Sequence, residues 1–268
     1  MNDHLKNLED IFGLVNAAAL AVSGGGDSML LAVVALNGGR KNFEVFHAVS
    51  PAVQRDGTKR VKKFAKQFQW PLRIIEVGEF QDENYLRNPV NRCFYCKHNL
   101  YKVFRTLTQA TIFSGTNHDD LQDFRPGLRA AEEHGVRHPF VEAGITKDVI
   151  RQLANHQGFK ELADLPAQPC LSSRVMTGTR ISSEVLDSIY AVEVWVRENL
   201  EPRVVRCRFS KKSICIELDA TAFKSLSEEQ RIAIMRIVAH SFRFMSPVPE
   251  ISFSLYRMGS AVTIPGRV

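Results

Sequence analysis

Short runs of apolar residues alternate with amphipathic stretches along the first two thirds of the chain. Apolar runs bounded by turn residues predict buried strands, and the amphipathic stretches between them predict helices. The predicted strands cover residues 17–22, 43–49, 72–77 and 111–115, and the predicted helices cover residues 27–36, 57–68, 101–109 and 146–156. Because strands that alternate with helices form parallel sheets covered on both faces, this part predicts an α/β fold with a parallel sheet flanked by helices.

The pattern changes after about residue 180. The second part predicts helices over residues 182–199 and 228–242, and strands over residues 204–209, 213–218 and 250–256. This mixture is typical of a smaller α+β module. We therefore expect two domains, residues 1–180 and residues 181–268.

Composition and charge limit the class of protein. The chain has 268 residues, of which 44% are hydrophobic and 24% charged, so wholesale disorder is excluded. The apolar runs are far shorter than the roughly 20 residues of a membrane helix, and the polar N-terminus does not resemble a signal peptide, so we expect no membrane association and a cytoplasmic location.

The net charge is +6, and the residues from Glu201 onward include eleven Lys or Arg but six Asp or Glu. This basic excess indicates either an anionic ligand or a solvated face.

A glycine-rich turn, SGGGDS, lies between the first predicted strand and the first predicted helix. The N–H groups of such a turn and of the helix N-terminus bind anions, and glycine lets a phosphate approach closely. Asp27 would repel a phosphate unless a divalent cation lay between them, which indicates Mg²⁺. The spacings of a Walker loop and of a dinucleotide fingerprint are both absent. Unless the turn is only structural, its nucleotide-binding residues are Ser23, Gly24, Gly25, Gly26, Asp27 and Ser28.

A second polar loop, SGTNHDDLQDFRPGL, begins at the end of the predicted strand 111–115. Ligands of parallel sheets bind at the carboxyl ends of the strands, so this loop is expected to face the same crevice as the glycine turn. Asp120 or Asp123 would share Mg²⁺ with Asp27, and Arg125 would bind phosphate in a bidentate manner. The alternative is an acidic solvated turn. The nucleotide-binding residues expected in this loop are Gly115, Asn117, Asp120 and Arg125.

The cysteines indicate metal or thiol chemistry, since a cytoplasmic chain seldom forms structural disulfides. Cys93 and Cys96 form a C-x-x-C pair that can bind one metal centre, and Cys170 can complete three-fold ligation. Structural zinc usually takes four ligands, so three thiolates fit a [4Fe–4S] cluster with one open iron. A thioredoxin-like redox dithiol is the alternative, but the C-x-x-C does not open an amphipathic helix after a strand, as that fold requires. Cys207 and Cys215 lie in strand patterns typical of core residues.

Two arginines share one face of a predicted strand near the start of the basic region. Period-2 alternation over residues 204–209 puts Arg206 and Arg208 together and the apolar residues on the other face. Neighbouring guanidinium groups repel each other unless an anion bridges them. The pair therefore predicts a phosphate or carboxylate site, with two exposed surface arginines as the alternative.

Taken in order, five sequence blocks resemble the LarE family of ATP-dependent sulfur transferases, which make the pincer ligand of a nickel cofactor. The blocks are SGGGDS at 23–28, NRCFYCK at 91–97, SGTNHDDLQDFRPGL at 114–128, PCLSSR at 169–174 and VVRCRF at 204–209. The resemblance covers residues 20–210 and implies the PP-loop ATP pyrophosphatase fold, also called adenine nucleotide α-hydrolase-like. The last 60 residues match poorly, and nothing is carried over to them.

The resemblance also implies an activity. In the family, ATP and Mg²⁺ serve to adenylate a carboxylate of a pyridinium dicarboxylate mononucleotide, sulfur attacks the acyl adenylate, and a thiocarboxylate forms as AMP leaves. Cys170 aligns with the family's active cysteine, and Cys93 and Cys96 are typical of a three-cysteine subgroup that binds a [4Fe–4S] cluster. Positions near the substrate, a bound metal or a phosphate match Glu193, Arg206 and Arg208. With Asp27 and Cys170, they are the catalytic residues that we expect.

Other functions stay open at this point. A tRNA-thiolating enzyme would share the glycine turn and the cysteines, but no recognisable RNA-binding module accompanies them, so we expect a small nucleotide substrate and no nucleic acid. A nucleotide sensor, an iron–sulfur carrier and an amide-forming synthetase are further alternatives. Cys170 could also surrender its own sulfur without a cluster. We expect a homo-oligomer, with a sulfur donor protein or free sulfide as the sulfur source.

Overall fold

The computed structural model describes residues 1–122, 125–247 and 249–262. Its helices and strands follow in the order α1 (Asn2–Gly13), β1 (Ala18–Ala21), α2 (Gly26–Asn37), β2 (Phe43–Val49), α3 (Arg55–Phe68), β3 (Leu72–Glu76), α4 (Glu83–Leu86), α5 (Arg92–Leu107), β4 (Thr111–Ser114), α6 (Pro126–Glu133), α7 (Pro139–Glu142), α8 (Lys147–His156), α9 (Lys160–Ala163), α10 (Ser183–Leu200), β5 (Val205–Phe209), β6 (Ser213–Leu218), α11 (Ala220–Lys224), α12 (Glu228–Ser241) and β7 (Glu250–Leu255). Short 3₁₀ turns lie at Glu79–Gln81, His118–Gln122 and Leu171–Arg174.

The larger sheet carries the glycine turn. Within the described residues it has four parallel strands in the order β3-β2-β1-β4, with an isolated parallel bridge from Phe113 to Arg137 at the β4 edge. Ala21 of β1 pairs with Phe46 of β2 and with Ser114 of β4, so the loops after β1 and β4 leave the sheet side by side. The predicted parallel α/β sheet is confirmed.

Alternation along the strands divides the core into two layers. Leu20 and Phe43 point into the layer that contains α1, α2 and α8, whereas Ala19 and Phe46 point into the layer that contains α5. Helix α2 is buried along residues 28–35 because it packs against α1, α8, α9 and the sheet. A helix that is apolar on all sides is expected at such a central position.

Helix α5 corrects one prediction. The apolar period predicts a helix over residues 101–109, whereas the helix begins at Arg92 and ends at Leu107. Only its second half packs on the sheet, where Tyr101 and Phe104 are fully buried, so only that half carries an apolar stripe. The C-x-x-C pair therefore lies in the first turns of α5, but α5 follows α4 and not a strand, so the pair does not have the strand-to-helix position of a thioredoxin-like redox dithiol.

The smaller sheet lies in the second part of the chain. In the described residues it has the order β5-β6-β7, with β5 and β6 antiparallel and β6 and β7 parallel. Helices α10 and α12 pack together, and α10 also contacts β5. The predicted α+β module is confirmed, and each of its predicted elements ends within one residue of the observed bounds.

No helix in the described ranges combines the length and the apolar character needed to cross a membrane.

By internal packing the chain divides into two compact units. The first contains Met1–Glu79 and Cys93–Pro169, and the second contains Phe80–Arg92 and Cys170–Val268. Asn88 explains why a segment from the first half joins the second unit. Its buried amide donates to the carbonyls of Val175, Met176 and Thr179, at 3.3, 2.9 and 3.0 Å. Residues 170–180, which the sequence assigns to the first domain, thus pack with the second unit.

Candidate functional site

The glycine turn closes on itself between β1 and α2. The Ser23 and Ser28 hydroxyls lie 3.1 Å apart, the Ser28 hydroxyl donates to the Gly25 carbonyl at 3.0 Å, and the Ser23 N–H donates to Ser28 Oγ at 3.2 Å. Gly25 is the N-cap of α2, so the positive end of this helix opens at the turn. The turn therefore lies between a strand and a helix N-terminus, as the sequence predicts.

Two of the glycines are required by the packing of the protein itself. Gly24 has φ +87°, and a Cβ atom there would lie 2.5 Å from the Gly57 carbonyl oxygen in the first turn of α3. A Cβ atom on Gly115, in the loop after β4, would lie 2.7 Å from the Ser28 backbone. Larger residues at either position would push α3 or the β4 loop away from the turn. Gly115 thus lies beside the turn, as the sequence predicts, and closes one side of it.

Helix α3 joins the turn to the segment that leads to Cys170. Arg60 donates to the Gly24 carbonyl and to the Gln168 side chain, the latter at 3.3 Å. The Gln54 amide, at the start of α3, donates to the Pro169 carbonyl at 2.8 Å. Burial lowers the pKa of the Arg60 guanidinium, while the nearby carboxylates of Asp56 and Glu161 oppose this shift. Sequence analysis did not predict these contacts, because their partners are about 36 to 115 residues apart.

Asp27 receives donors from two other segments. The Asn117 amide, in the loop after β4, donates to Asp27 Oδ2 at 3.0 Å, and the Lys147 ammonium contacts Asp27 Oδ1. The Asn117 N–H donates to Asp120 Oδ2 at 3.1 Å, and Arg125 pairs with Asp120 Oδ1 at 2.7 Å. The structure therefore brings Asp27, Asn117, Asp120 and Arg125 together as the sequence expects, and it adds Lys147. Asp123 lies outside the described residues.

His47 lies in β2, next to the glycine turn, and contacts both the end of β1 and helix α3. Its ring is fully buried in β2, with Nδ1 2.7 Å from the Val22 carbonyl and Nε2 2.9 Å from the Thr58 hydroxyl. Burial lowers the pKa of His47, and the charge of Lys62 adds to this effect. A neutral ring then donates from Nδ1 to Val22 and accepts from Thr58, which ties the end of β1 to α3.

Acidification is expected to weaken the fold through His47. The neutral ring is the stable form in the native state, whereas the unfolded state gains a proton below pH about 6.5. The free energy of unfolding should therefore fall from that pH down to the lowered native pKa, by at most about 1.4 kcal/mol per pH unit. Urea unfolding of His47→Asn between pH 7.5 and 5.5 should show a smaller loss than the parent protein. The exposed His156→Asn is the control, and an equal loss in His47→Asn and the parent protein would contradict this role.

The cysteines lie in both units. Cys93 is the second residue of α5 and Cys96 the fifth, so their Cα atoms are about 5 Å apart by helical geometry. Cys93 and Cys170 are exposed, Cys96 and Cys215 are partly buried, and Cys207 is fully buried. Burial raises the pKa of the Cys207 thiol, as expected for an inert core residue. In the described part of the chain, no three Cys, His, Asp or Glu side chains converge as a metal site.

The turn that follows Cys170 is braced by buried arginines within the second unit. Arg174 forms two hydrogen bonds with the Glu193 carboxylate, at 2.9 and 3.0 Å, and it also donates to the Cys170 carbonyl at 3.2 Å. Arg208 donates to the Ser173 carbonyl at 2.9 Å and pairs with Glu217 at 2.8 Å. The alternative of exposed arginines is thus excluded for Arg208, whose bridging anion is a protein carboxylate.

Arg206 and Glu193 are also interior residues. Glu193 is fully buried, and its Oε1 additionally accepts from the Cys207 N–H at 3.0 Å. Arg206 is 9% exposed, its guanidinium lies 5.6 Å from the centre of the Tyr256 ring, and its Nη1 donates to the Val205 carbonyl. Burial lowers the pKa of Arg206, and the charge of Arg174 adds to this effect. Glu193 therefore acts on the Cys170 turn through Arg174.

The parallel sheet, the self-closed turn after β1 and the acidic loop after β4 define an α/β protein of the PP-loop class. No family model matches the chain. The chain is 32% identical over 249 residues to an uncharacterized protein of Synechocystis sp., covering 91% of this chain and 92% of that protein. It is 28% identical over 217 residues to an uncharacterized protein of Methanocaldococcus jannaschii, covering 80% and 82%.

A further relative has a named activity. The chain is 28% identical over 204 residues to the pyridinium-3,5-bisthiocarboxylic acid mononucleotide synthase of Lactiplantibacillus plantarum, covering 74% of this chain and 73% of the synthase. The chain belongs to the LarE family.

Proposed function

We propose that this chain is an ATP-dependent, AMP-forming sulfur transferase. It adenylates a carboxylate of a pyridinium dicarboxylate mononucleotide and converts it to a thiocarboxylate, in synthesis of the nickel-pincer cofactor. The observation that carries the proposal is the closed turn at Ser23–Ser28, with Asp27 at the open end of α2. The named synthase among the relatives supports the choice of substrate.

The first half of the reaction uses the PP-loop. The N–H groups of the turn hold nucleotide phosphates, and the substrate carboxylate oxygen attacks the α-phosphorus atom. Pyrophosphate leaves with the electron pair of the broken P–O bond, and an acyl adenylate remains. Adenylation is needed because a free carboxylate is a poor electrophile and AMP is a far better leaving group than oxide.

Mg²⁺ fits the donor atoms beside the turn. Asp27 and Asp120 offer hard carboxylate oxygens, which Mg²⁺ prefers, and both contact Asn117. The contact between the Lys147 ammonium and Asp27 supports a cation site at this carboxylate. When bound, Mg²⁺ would neutralise phosphate charge as pyrophosphate forms. Arg125 would add a bidentate contact to phosphate.

The second half of the reaction needs a sulfur nucleophile. We propose that Cys93, Cys96 and Cys170 hold a [4Fe–4S] cluster, for which the neighbouring positions of Cys93 and Cys96 in α5 are suitable. When bound, the cluster would supply sulfide from a sulfur donor protein or from free sulfide. Sulfur attacks the acyl carbon, the bond to AMP breaks with its electron pair on AMP, and a thiocarboxylate remains. The charge of Arg206 lies near Arg174 of the Cys170 turn and favours an anionic substrate there, while Arg208 holds the turn through the Ser173 carbonyl.

The proposal is tested with the full chain purified without oxygen. With ATP, Mg²⁺, sulfide and the pyridinium dicarboxylate mononucleotide, we expect equal amounts of pyrophosphate, AMP and thiocarboxylate, measured by enzymatic assay and mass spectrometry. Bulk tRNA in place of the mononucleotide should give no AMP. AMP formation with tRNA alone would support the tRNA-thiolating enzyme, and absence of AMP with every acceptor would contradict the proposed function.

The sulfur source is tested separately. Protein isolated without oxygen should contain about four irons per chain, and Cys93→Ala should lose them. If Cys170 surrenders its own sulfur instead, the protein after turnover loses the mass of one sulfur and two hydrogens at Cys170. That result, with iron-free protein of unchanged activity, would contradict the cluster and leave the adenylation chemistry intact.

A further inference from the structure

Lys147 lies where helix α8 and the loop after β4 meet the glycine turn. It is the first residue of α8, whose N-cap Thr146 accepts from the Val149 N–H. Its own N–H donates to Asp119 Oδ2 at 2.8 Å, in the loop after β4. The Thr146 cap and the Asp119 carboxylate therefore fix the start of α8, while the flexible side chain of Lys147 reaches Asp27, 120 residues earlier in the chain. No motif in the sequence singles out this lysine.

The charges around Asp27 make Lys147 its cationic partner. The neighbouring carboxylate of Asp120 already pairs with Arg125 at 2.7 Å, whereas Asn117 brings only a neutral amide to Asp27. The side chains of Lys147 and Asp27 are 32% and 21% exposed, so both can be reached from solvent. A divalent cation that binds Asp27 would repel the ammonium at contact distance. The displaced ammonium would then be stabilised by contact with another anion.

The bound nucleotide offers that anion. Lysine binds phosphate as a flexible point charge, and the turn that would hold the phosphates begins next to Asp27. We infer that Lys147 exchanges partners: its ammonium neutralises Asp27 in the nucleotide-free protein and moves to the leaving pyrophosphate when Mg²⁺ takes Asp27. The inference rests on the proposed function, since it assumes ATP and Mg²⁺ at this turn.

The exchange makes two predictions of opposite sign for Lys147→Met. Without the competing ammonium, the nucleotide-free variant should bind Mn²⁺ alone about five-fold more tightly, as measured by electron paramagnetic resonance. Without the charge on the leaving group, its pyrophosphate release at saturating ATP should fall about 10²-fold, with KM for ATP little changed. A residue with a purely structural role would lower both quantities or neither.

Lys63→Met is the matched control, because Lys63 pairs with Glu161 at 3.0 Å on the surface of the same unit. The control should leave Mn²⁺ affinity and pyrophosphate release unchanged. Equal or weaker Mn²⁺ binding by Lys147→Met would overturn the exchange, and so would tighter binding with unchanged pyrophosphate release. If the parent protein releases no pyrophosphate with any acceptor, the proposed function fails, whereas the Mn²⁺ comparison still reports on the Lys147–Asp27 contact.

Discussion

Replacing Asp27 with asparagine is expected to lower pyrophosphate release by about 10²–10³-fold, the usual cost of losing one preorganised charged group at a reacting centre. Asparagine keeps the shape of the side chain and can still contact Asn117, so the turn should stay folded. It lacks the charge that attracts Lys147 and that would bind Mg²⁺. The measurement is pyrophosphate release from ATP with the pyridinium dicarboxylate mononucleotide, over a range of Mg²⁺ concentrations.

A metal role for Asp27 has a distinct signature. The loss in Asp27→Asn should shrink at high Mg²⁺, because excess metal partly compensates for a lost ligand. Asp148→Asn is the control, since the Asp148 side chain is 84% exposed and pairs with Arg151 at 3.5 Å on the surface of α8. A rate for Asp27→Asn within a factor of three of the parent protein would remove Asp27 from the reaction.

Periodicity predicted most of the fold because most elements bury one regular face. Strand β1 alternates between two core layers, with Leu20 on one side and Ala19 on the other, and β2 does the same with Phe43 and Phe46. Such alternation is visible in the residues themselves. The helix predicted over residues 146–156 was equally visible, and the structure begins it at Lys147 with Thr146 as its N-cap.

Elements that bury little, or that pack through polar contacts, left no such pattern. Helix α1 was not predicted, although Leu8 and Phe12 are buried, because polar and charged residues make up most of it. The first turns of α5 lack an apolar stripe. The segment Phe80–Arg92 joins the second unit through the Asn88 amide, and its acceptors lie 87 to 91 residues away. Hydrogen bonds over such distances have no local signature in one sequence.

The same distinction applies to the candidate site. The glycine turn was predictable because the requirements of a phosphate loop are local, and Gly115 followed from the geometry of parallel strands. Lys147 and Arg174 were not predicted, because each acts through a partner on another element. The arginine pair at 206 and 208 was correctly predicted to share a strand, but alternation alone could not reveal that Arg208 meets Glu217.

The buried pair of Arg174 and Glu193 yields the largest expected effect on stability. Both side chains are 1% exposed, so removing one charge leaves the other buried without its partner. Glu193→Gln should therefore lower the free energy of unfolding by about 3–5 kcal/mol. Because Arg174 also donates to the Cys170 carbonyl, the turn at Cys170 should loosen, and the thiol of Cys170 should react faster with a labelling reagent in the native state. Urea unfolding and the labelling rate measure the two effects.

A double variant separates the charge from the packing. Replacing a buried ion pair with apolar residues of similar volume often costs little, so Arg174→Met with Glu193→Leu should regain most of the stability lost in Glu193→Gln. The labelling rate of Cys170 should stay high in the double variant, because the donor to its carbonyl is still missing. Arg180→Met is the control, since Arg180 pairs with Glu83 on the surface of the same unit, and its unfolding midpoint should not change. If Glu193→Gln unfolds at the midpoint of that control, the pair neither stabilises the second unit nor holds the cysteine turn.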